Sequence, residues 1–267
     1  MAFEGGFYAS QADWNGVQKI LAETAGRPDR FSATSGWANF LPQLGQIQLA
    51  RTTFLRAADQ AAAAKEQDAQ AGALLNAASA GWMVDRCFDP DQTAKEALKL
   101  DKGKLTLIAA ATALASCNQD KHATQMLSDL EKRYPEDTLV RELFVPQSRA
   151  WLAIKAGDPQ RALLLLELVR AHDLTSYAPY LRGLAYLALK DPRNAIASFQ
   201  DATRLKGNAY NNGSPYALSF LGLGRAYAMA GDKANAKKAY DVFFSEWKNA
   251  DADLPVIAEA KKEYAQL

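Results

Sequence analysis

Residues 217–248 read ALSFLGLGRAYAMAGDKANAKKAYDVFFSEWK, and this stretch decides how the rest of the chain is read. It carries the pattern Phe220-x2-Leu223-Gly224-x2-Tyr227, followed by Ala236-x3-Tyr240. Gly224 has no side chain, so a second helix can approach closely there, while Leu223, Tyr227 and Tyr240 fill the space between the two. Gly231-Asp232 punctuates two helical runs: glycine suits the end of the first, and aspartate accepts backbone N–H groups at the start of the second. The stretch is therefore a helix-turn-helix hairpin. Such a hairpin cannot bury its apolar face alone, so neighbouring copies are expected.

Composition agrees with a helical protein. About half of the 267 residues are apolar, Ala and Leu are abundant, and β-branched residues are sparse. The 31 Lys and Arg balance 30 Asp and Glu to a net charge of +1, which leaves no footprint for nucleic acid or for an anionic membrane surface. No apolar run approaches the length that spans a bilayer and no signal-peptide arrangement is present, so membrane insertion by this segment is not expected. Cys87 and Cys117 are the only cysteines, and neither sits in a CxxC pair. Two buried or half-buried free thiols are expected, rather than a disulfide or a metal site.

Hairpin signals recur along the chain. A first helix is expected over 10–24, with Trp14, Val17, Ile20 and Leu21 on one face and Gly26-Arg27-Pro28 closing it. A second hairpin begins at Phe31, places Trp37 and Leu41 on its first helix, breaks at Gly45-Gln46 and continues through Ala50, Phe54 and Ala57; Pro42 stops its first helix. The alanine-rich run 57–65 reads as close helix contact, and residues 71–84 as helical again, with Leu74, Leu75, Trp82 and Met83 at helical spacing. Asp89-Pro90-Asp91 starts a short helix. Repeat register is weakest over 66–103.

From Lys104 the register returns. Ala123-x3-Leu127 and Pro135 belong to one unit, and Gly157-Asp158 with Ala162-x3-Leu166 to the next. A third starts at Ser176 and runs through Gly183-x2-Tyr186, the turn Lys190-Asp191, Ala195-x3-Phe199 and Ala202. The turn residues Asp158, Asp191 and Asp232 lie 33 and 41 residues apart. The excess in the second interval falls in 206–215, where Gly207, Asn211, Asn212, Gly213, Ser214 and Pro215 form an inter-repeat loop. A last amphipathic helix carries Asp253, Pro255, Ile257, Ala260, Tyr264 and Leu267, with Glu259, Lys261 and Lys262 facing water, and caps the open end of the stack.

These signatures resemble the tetratricopeptide repeat (TPR), whose period is roughly 34 residues. The resemblance implies an all-α chain forming an α-α superhelix, a single TPR-like solenoid over 1–267 of about six to seven hairpins with a C-terminal capping helix. Repeats are clear over 104–267 and degenerate over 1–103. The ordered set Lys132-Arg133-Tyr134-Pro135-Glu136-Asp137-Thr138, Ala156-Gly157-Asp158-Pro159, Arg182-Gly183-Leu184-Ala185-Tyr186-Leu187, Leu221 to Ala228 and Trp247 to Pro255 resembles, further, the carboxy-terminal TPR tails of acidobacterial-type bacterial serine/threonine protein kinases. In that family the tail follows a kinase domain and a membrane span and is taken to sense or recruit partners. The chain enters at Met1-Ala2-Phe3 and almost at once reads as mid-architecture, so a longer tethered parent is expected, with this segment cytoplasmic or on the periplasmic side.

Catalytic signatures are missing. His122 and His172 are far apart and lack partners at metal-ligand spacing, so His122 reads as a polar helix residue and no metal, cofactor or catalytic role is assigned. There is no phosphate loop ending in Lys-Ser or Lys-Thr, no Gly-x-Ser-x-Gly elbow and no kinase signature set; Gly222-Leu-Gly224 lies inside a helix and is not a nucleotide loop. Non-catalytic binding is the expectation. Repeat register places Phe144, Gln147 and Trp151, then Tyr177, Tyr180 and Leu184, then Leu218, Leu221 and Arg225 on a concave groove for a protein or peptide partner, or for a second copy of the chain. Tyr, Leu and Trp at these positions argue against a clamp for acidic carboxyl tails. Tyr180→Ala with Leu221→Ala is expected to weaken binding with the fold intact. A stand-alone TPR adaptor in envelope or complex assembly is the second reading, and a helical enzyme the remote third.

Overall fold

Proline and aspartate start signals at Asp89-Pro90, Asp158-Pro159, Asp191 and Asp232 coincide with real helix starts. A computed structural model describes residues 30–172, 177–204 and 215–267, together with Gly16, Lys19, Ala22, Glu23 and Arg27. The helix expected over 10–24 and the loop expected over 206–215 fall largely outside these residues. The described residues form thirteen α-helices and no strand. They are α1 Arg30–Phe40, α2 Ile47–Ala63, α3 Gln67–Ser79, α4 Pro90–Leu100, α5 Lys104–Ser116, α6 Asp120–Arg133, α7 Val145–Lys155, α8 Pro159–Leu168, α9 Tyr177–Ala188, α10 Pro192–Thr203, α11 Pro215–Met229, α12 Lys233–Glu246 and α13 Pro255–Ala265. Neighbours in sequence pack in adjacent pairs: α1 with α2, α2 with α3, α5 with α6, α9 with α10, α11 with α12.

One turn chemistry recurs at the helix ends. Gly157 and Gly231 adopt φ of +76° and +79°, and the residue after each donates its N–H back five residues, Asp158 to the Ala153 carbonyl and Asp232 to the Tyr227 carbonyl, both at 2.9 Å. This is the Schellman arrangement, which satisfies carbonyls that the helix leaves unpaired. Lys190 at φ 57° does the same before Asp191, as do Lys65 before Glu66 and Asn118 before Gln119. Each turn aspartate then caps the next helix: Asp158, Asp191 and Asp232 accept the N–H groups of Arg161, Asn194 and Asn235 at 3.1 Å. At 65–66 and 118–119 the same geometry is built without glycine or a capping aspartate.

The chain divides into two compact units. The first comprises Met1–Pro42 and Ile47–Val145. α2 and α3 meet through small residues, with Ala57, Ala58 and Ala73 all buried beside the half-buried Leu74. A methyl side chain lets two helix axes approach at little entropic cost, so the alanine run is a packing surface. A larger core gathers Ala38, Leu41, Ala50, Phe54, Ala77 and Ala80 under Trp37. α1 ends at Phe40 and the chain passes into a 3-10 turn at Leu41–Leu44 containing Pro42, so Leu41 reaches the core from the turn rather than from the helix.

Two expectations in this unit are corrected. The helix read over 71–84 stops at Ser79, and only Trp82–Val84 is helical beyond it, as a single 3-10 turn. Gly81 is the cause: it pairs with Arg86 in an isolated antiparallel bridge, and a Cβ there would lie 2.5 Å from Ile47 Cγ2 and 2.7 Å from the Arg86 carbonyl oxygen. Cys87 and Cys117, expected as free thiols, form a disulfide with a Cα–Cα distance of 5.8 Å. The loop folds back through left-handed Asp85 and Asp89, and Phe88 donates its N–H to the Ala78 carbonyl at 2.8 Å, which carries Cys87 to the end of α5 where Cys117 sits.

The first unit ends in an irregular turn. Residues Val140–Phe144 are π-helical, and Val145 donates its N–H five residues back to the Val140 carbonyl. Pro146 follows, which has no N–H and whose ring would meet the carbonyl four residues before it; widening the turn relieves both problems.

The second unit comprises Gln43–Gln46 and Pro146–Leu267. Its core is an interlock of aromatic rings and glycines. Phe199 on α10, fully buried, lies against Gly183 of α9 and Gly222 of α11; a Cβ at either would stand 2.5 Å from the ring. Tyr240 on α12 covers Gly224 in the same way, at 2.6 Å. Burying a phenylalanine fully contributes roughly 1.5–3 kcal/mol, and the absent side chains are what make room for it. Trp247 donates its indole N–H to the Gln43 carbonyl at 2.8 Å and is itself buried.

Candidate protein-binding surface

The nine residues placed on the groove by register do not share one environment. Gln147, Trp151, Tyr177, Tyr180, Leu218 and Leu221 are buried, whereas Phe144, Leu184 and Arg225 are half-buried. Phe144 belongs to the π-helical end of the first unit and the other eight to the second. Burial against flanking helices thus accounts for two-thirds of the set.

Tyr177 and Tyr180 lie on the first turn of α9 and are 7% exposed each. Burial pushes the Tyr177 hydroxyl far above the ordinary tyrosine range, with Tyr180 adding to the shift, so it stays a neutral hydrogen-bonding group. Tyr180 packs its ring on Phe199, centroids 5.9 Å apart at 57°, which joins it to the glycine interlock. Leu218 and Leu221, at 3% and 2% exposure, are core residues of α11. Trp151 on α7 lies under the Lys155 ammonium, 5.6 Å from the ring centroid.

Arg225 is the charged member, and its partner comes from the last helix. Its guanidinium grips the Glu263 carboxylate of α13 through Nε at 3.0 Å and Nη2 at 2.9 Å. Tyr240 donates its hydroxyl to the same carboxylate at 2.7 Å, and Glu259 stands 4.0 Å away. Burial opposes the charge on Arg225, but the bonded Glu263 outweighs it and raises the guanidinium's hold on its proton. Burial and the Glu263 carboxylate together push the Tyr240 hydroxyl above its ordinary range. Tyr264 completes the attachment: its hydroxyl bonds Asp241, and its ring meets Tyr240 and Phe244 edge-on at 6.1 and 5.9 Å. α13 is therefore fastened by a carboxylate between an arginine and a tyrosine, and it fully buries only Ala260. Glu259, Lys261 and Lys262 are exposed, as its amphipathic pattern requires.

Sequence reasoning passed over a second surface. Leu164 and Leu168 on α8 are 74% and 58% exposed, four residues apart on one helix face. The signal is present in the sequence, since Leu163 to Leu166 is an unbroken apolar run on a helix too short to bury all of it.

Among the described residues no group of His, Cys, Asp and Glu side chains is arranged to hold a metal ion. His122 is an exposed side chain paired with Asp91, its Nδ1 2.6 Å from the carboxylate. Among the same residues no helix is long and apolar enough to cross a membrane. No protein-family model matches the chain, and no curated protein matches it.

Proposed function

We propose that this chain is a TPR-like α-helical repeat scaffold that binds a segment of a protein partner and carries out no catalysis. The observation that supports the reading is the repeated unit itself: Gly-Asp or Lys-Asp turns at 157–158, 190–191 and 231–232, each capping the next helix, with a ring-on-glycine contact between the helices joined at 190–191 and again between those joined at 231–232. A fold built by repetition presents an extended concave surface to a partner. Leu184 and Arg225 are the groove positions in the second unit that reach solvent, so they are the contact residues of this reading.

The test compares capture of partners by the full chain with capture by Leu184→Ser and by Leu164→Ser/Leu168→Ser, helicity being checked by circular dichroism. Loss of partner with Leu184→Ser and retention with the α8 variant supports the groove. The reverse pattern moves binding to the α8 face and ends the groove reading. Tyr180→Ala and Leu221→Ala do not serve as probes: truncating buried Leu221 alone is expected to cost roughly 2–5 kcal/mol, so lost binding would report lost folding.

The ordered motifs from Lys132 to Pro255 support a parent of the acidobacterial serine/threonine kinase type, in which this segment is the sensory or recruiting tail. The reading frame upstream of Phe3 checks it: a kinase-like segment followed by a membrane span is expected. A stand-alone adaptor of the cell envelope is the second reading, and the disulfide favours it, because such bonds persist where the surroundings are oxidising.

A further inference from the structure

Among the described helices of the first unit, α4 buries the fewest residues. α4 contributes only Ala94 and Ala97 to the buried core, two methyl groups from eleven residues. Its leading loop carries two non-glycine residues in the left-handed region, Asp85 at φ 55° and Asp89 at φ 47°, each costing about 1 kcal/mol or more. Against that deficit stand three side-chain attachments near the helix start. Cys87 is bonded to Cys117 at the end of α5. Asp91 bonds His122 in the first turn of α6 at 2.6 Å and Lys95 of its own helix at 2.6 Å. Arg51 of α2 lies over the Phe88 ring, 4.3 Å from its centroid. The ion pair and the cation–π contact are partly solvent-accessible and weak, so beside the Gly81–Arg86 bridge, the Phe88–Ala78 backbone bond and the packing of α4 on α3 and α5 the disulfide is the covalent restraint on this segment.

We propose that Cys87 and Cys117 are a thiol–disulfide exchange site, that the chain matures in an oxidising compartment where this bond is closed, and that the bond is what holds the loop 81–89 and α4 in place. The chemistry needs a disulfide oxidant, protein or small molecule. The thiolate of one cysteine attacks it and expels one thiol; the second thiolate attacks the resulting mixed disulfide and expels the other. The protein loses two electrons and two protons, and the oxidant's S–S bond becomes two thiols. Reduction by a dithiol runs the same steps backwards. Cys87 is the more exposed residue of the pair, half-buried against 6% exposure for Cys117. The assignment is independent of what the groove binds.

Two measurements on the full chain test it. In the first, cells making the native protein are quenched with acid and alkylated before disulfides can rearrange, and the intact mass is read. The expected result is no alkylation at either cysteine until a reductant is added; alkylation of both without reductant overturns the compartment assignment. In the second, hydrogen exchange is followed with and without reductant. Amides over 81–101 are expected to exchange about tenfold faster or more after reduction, while those of α9 to α12 stay within about twofold. Unchanged protection over 81–101 overturns the restraint role. Cys87→Ser repeats the second measurement without reductant, and its profile must match that of the reduced wild type; a mismatch also overturns the role.

Discussion

A methyl group added at Gly183 or Gly222 would stand 2.5 Å from the Phe199 ring, whereas one added at Gly72 in the middle of α3 meets nothing within 4 Å. The same substitution is therefore expected to have opposite signs. Gly72→Ala should stabilise by roughly 0.5–1 kcal/mol through helix propensity, and Gly183→Ala or Gly222→Ala should destabilise by about 1–3 kcal/mol through overpacking. Urea titration of the three variants measures this, and equal stabilisation by all three would show that the interlock around Phe199 is absent. At the Arg225–Glu263 pair, both side chains 35% exposed, a double-mutant cycle to alanine is expected to give a coupling on the order of 1 kcal/mol that shrinks in high salt. A coupling of zero would mean that the Arg225–Glu263 pair contributes nothing to holding α13, leaving its other contacts, such as buried Ala260 and the Tyr264 ring.

At the level of elements, the helix starts carry their own acid sensitivity. The Asn194 N–H and side-chain amide hold the Asp191 carboxyl below its ordinary value of 3.8, and the corresponding groups of Asn235 do the same for Asp232. A carboxylate whose affinity for protons is lowered by folding stabilises the folded state above its unfolded value. That contribution disappears as pH falls through the folded one. Thermal stability is thus expected to be flat with respect to these caps from neutral pH to about 5, and to fall below about 4. Replacing Asp158, Asp191 or Asp232 with alanine should lower the melting temperature by on the order of 2–4 °C each and, for Asp191 and Asp232, flatten the acid limb. A variant that keeps the wild-type acid limb would remove its cap from the explanation.

For the whole chain, the covalent link between residues 30 apart in sequence sets an expectation for overall stability. The chain-entropy model predicts a loss of roughly 3–4 kcal/mol on reduction, read as a lower urea midpoint with reductant present. The effect of cutting this bond on partner binding separates the chain's two proposed properties. A groove built on α9 and α11 should retain its partner after reduction, because no cysteine lies in those helices. Loss of partner with helicity intact would place the contact surface on the first unit instead.

Helix positions from Lys104 onward were legible because every signal is local. Gly157-Asp158 and Gly231-Asp232 build a turn and a cap from residues within one helical turn of each other, and the alanines Ala123, Ala162, Ala195 and Ala236 are all fully buried. The same locality explains the misses. Cys87 meets Cys117 only because Gly81 ends α3 early and two aspartates fold the loop back, and none of those steps is periodic. Arg225 meets Glu263 across 38 residues because the last helix returns across α11. Leu221 and Leu184 carry the same apolar signal, yet one is 2% exposed and the other half-buried. Backbone hydrogen bonding and side-chain period are settled within a few residues, so helix type, ends and apolar faces can be read from the chain. Whether an apolar face is core or surface depends on which distant segment lies against it, and that is set by packing.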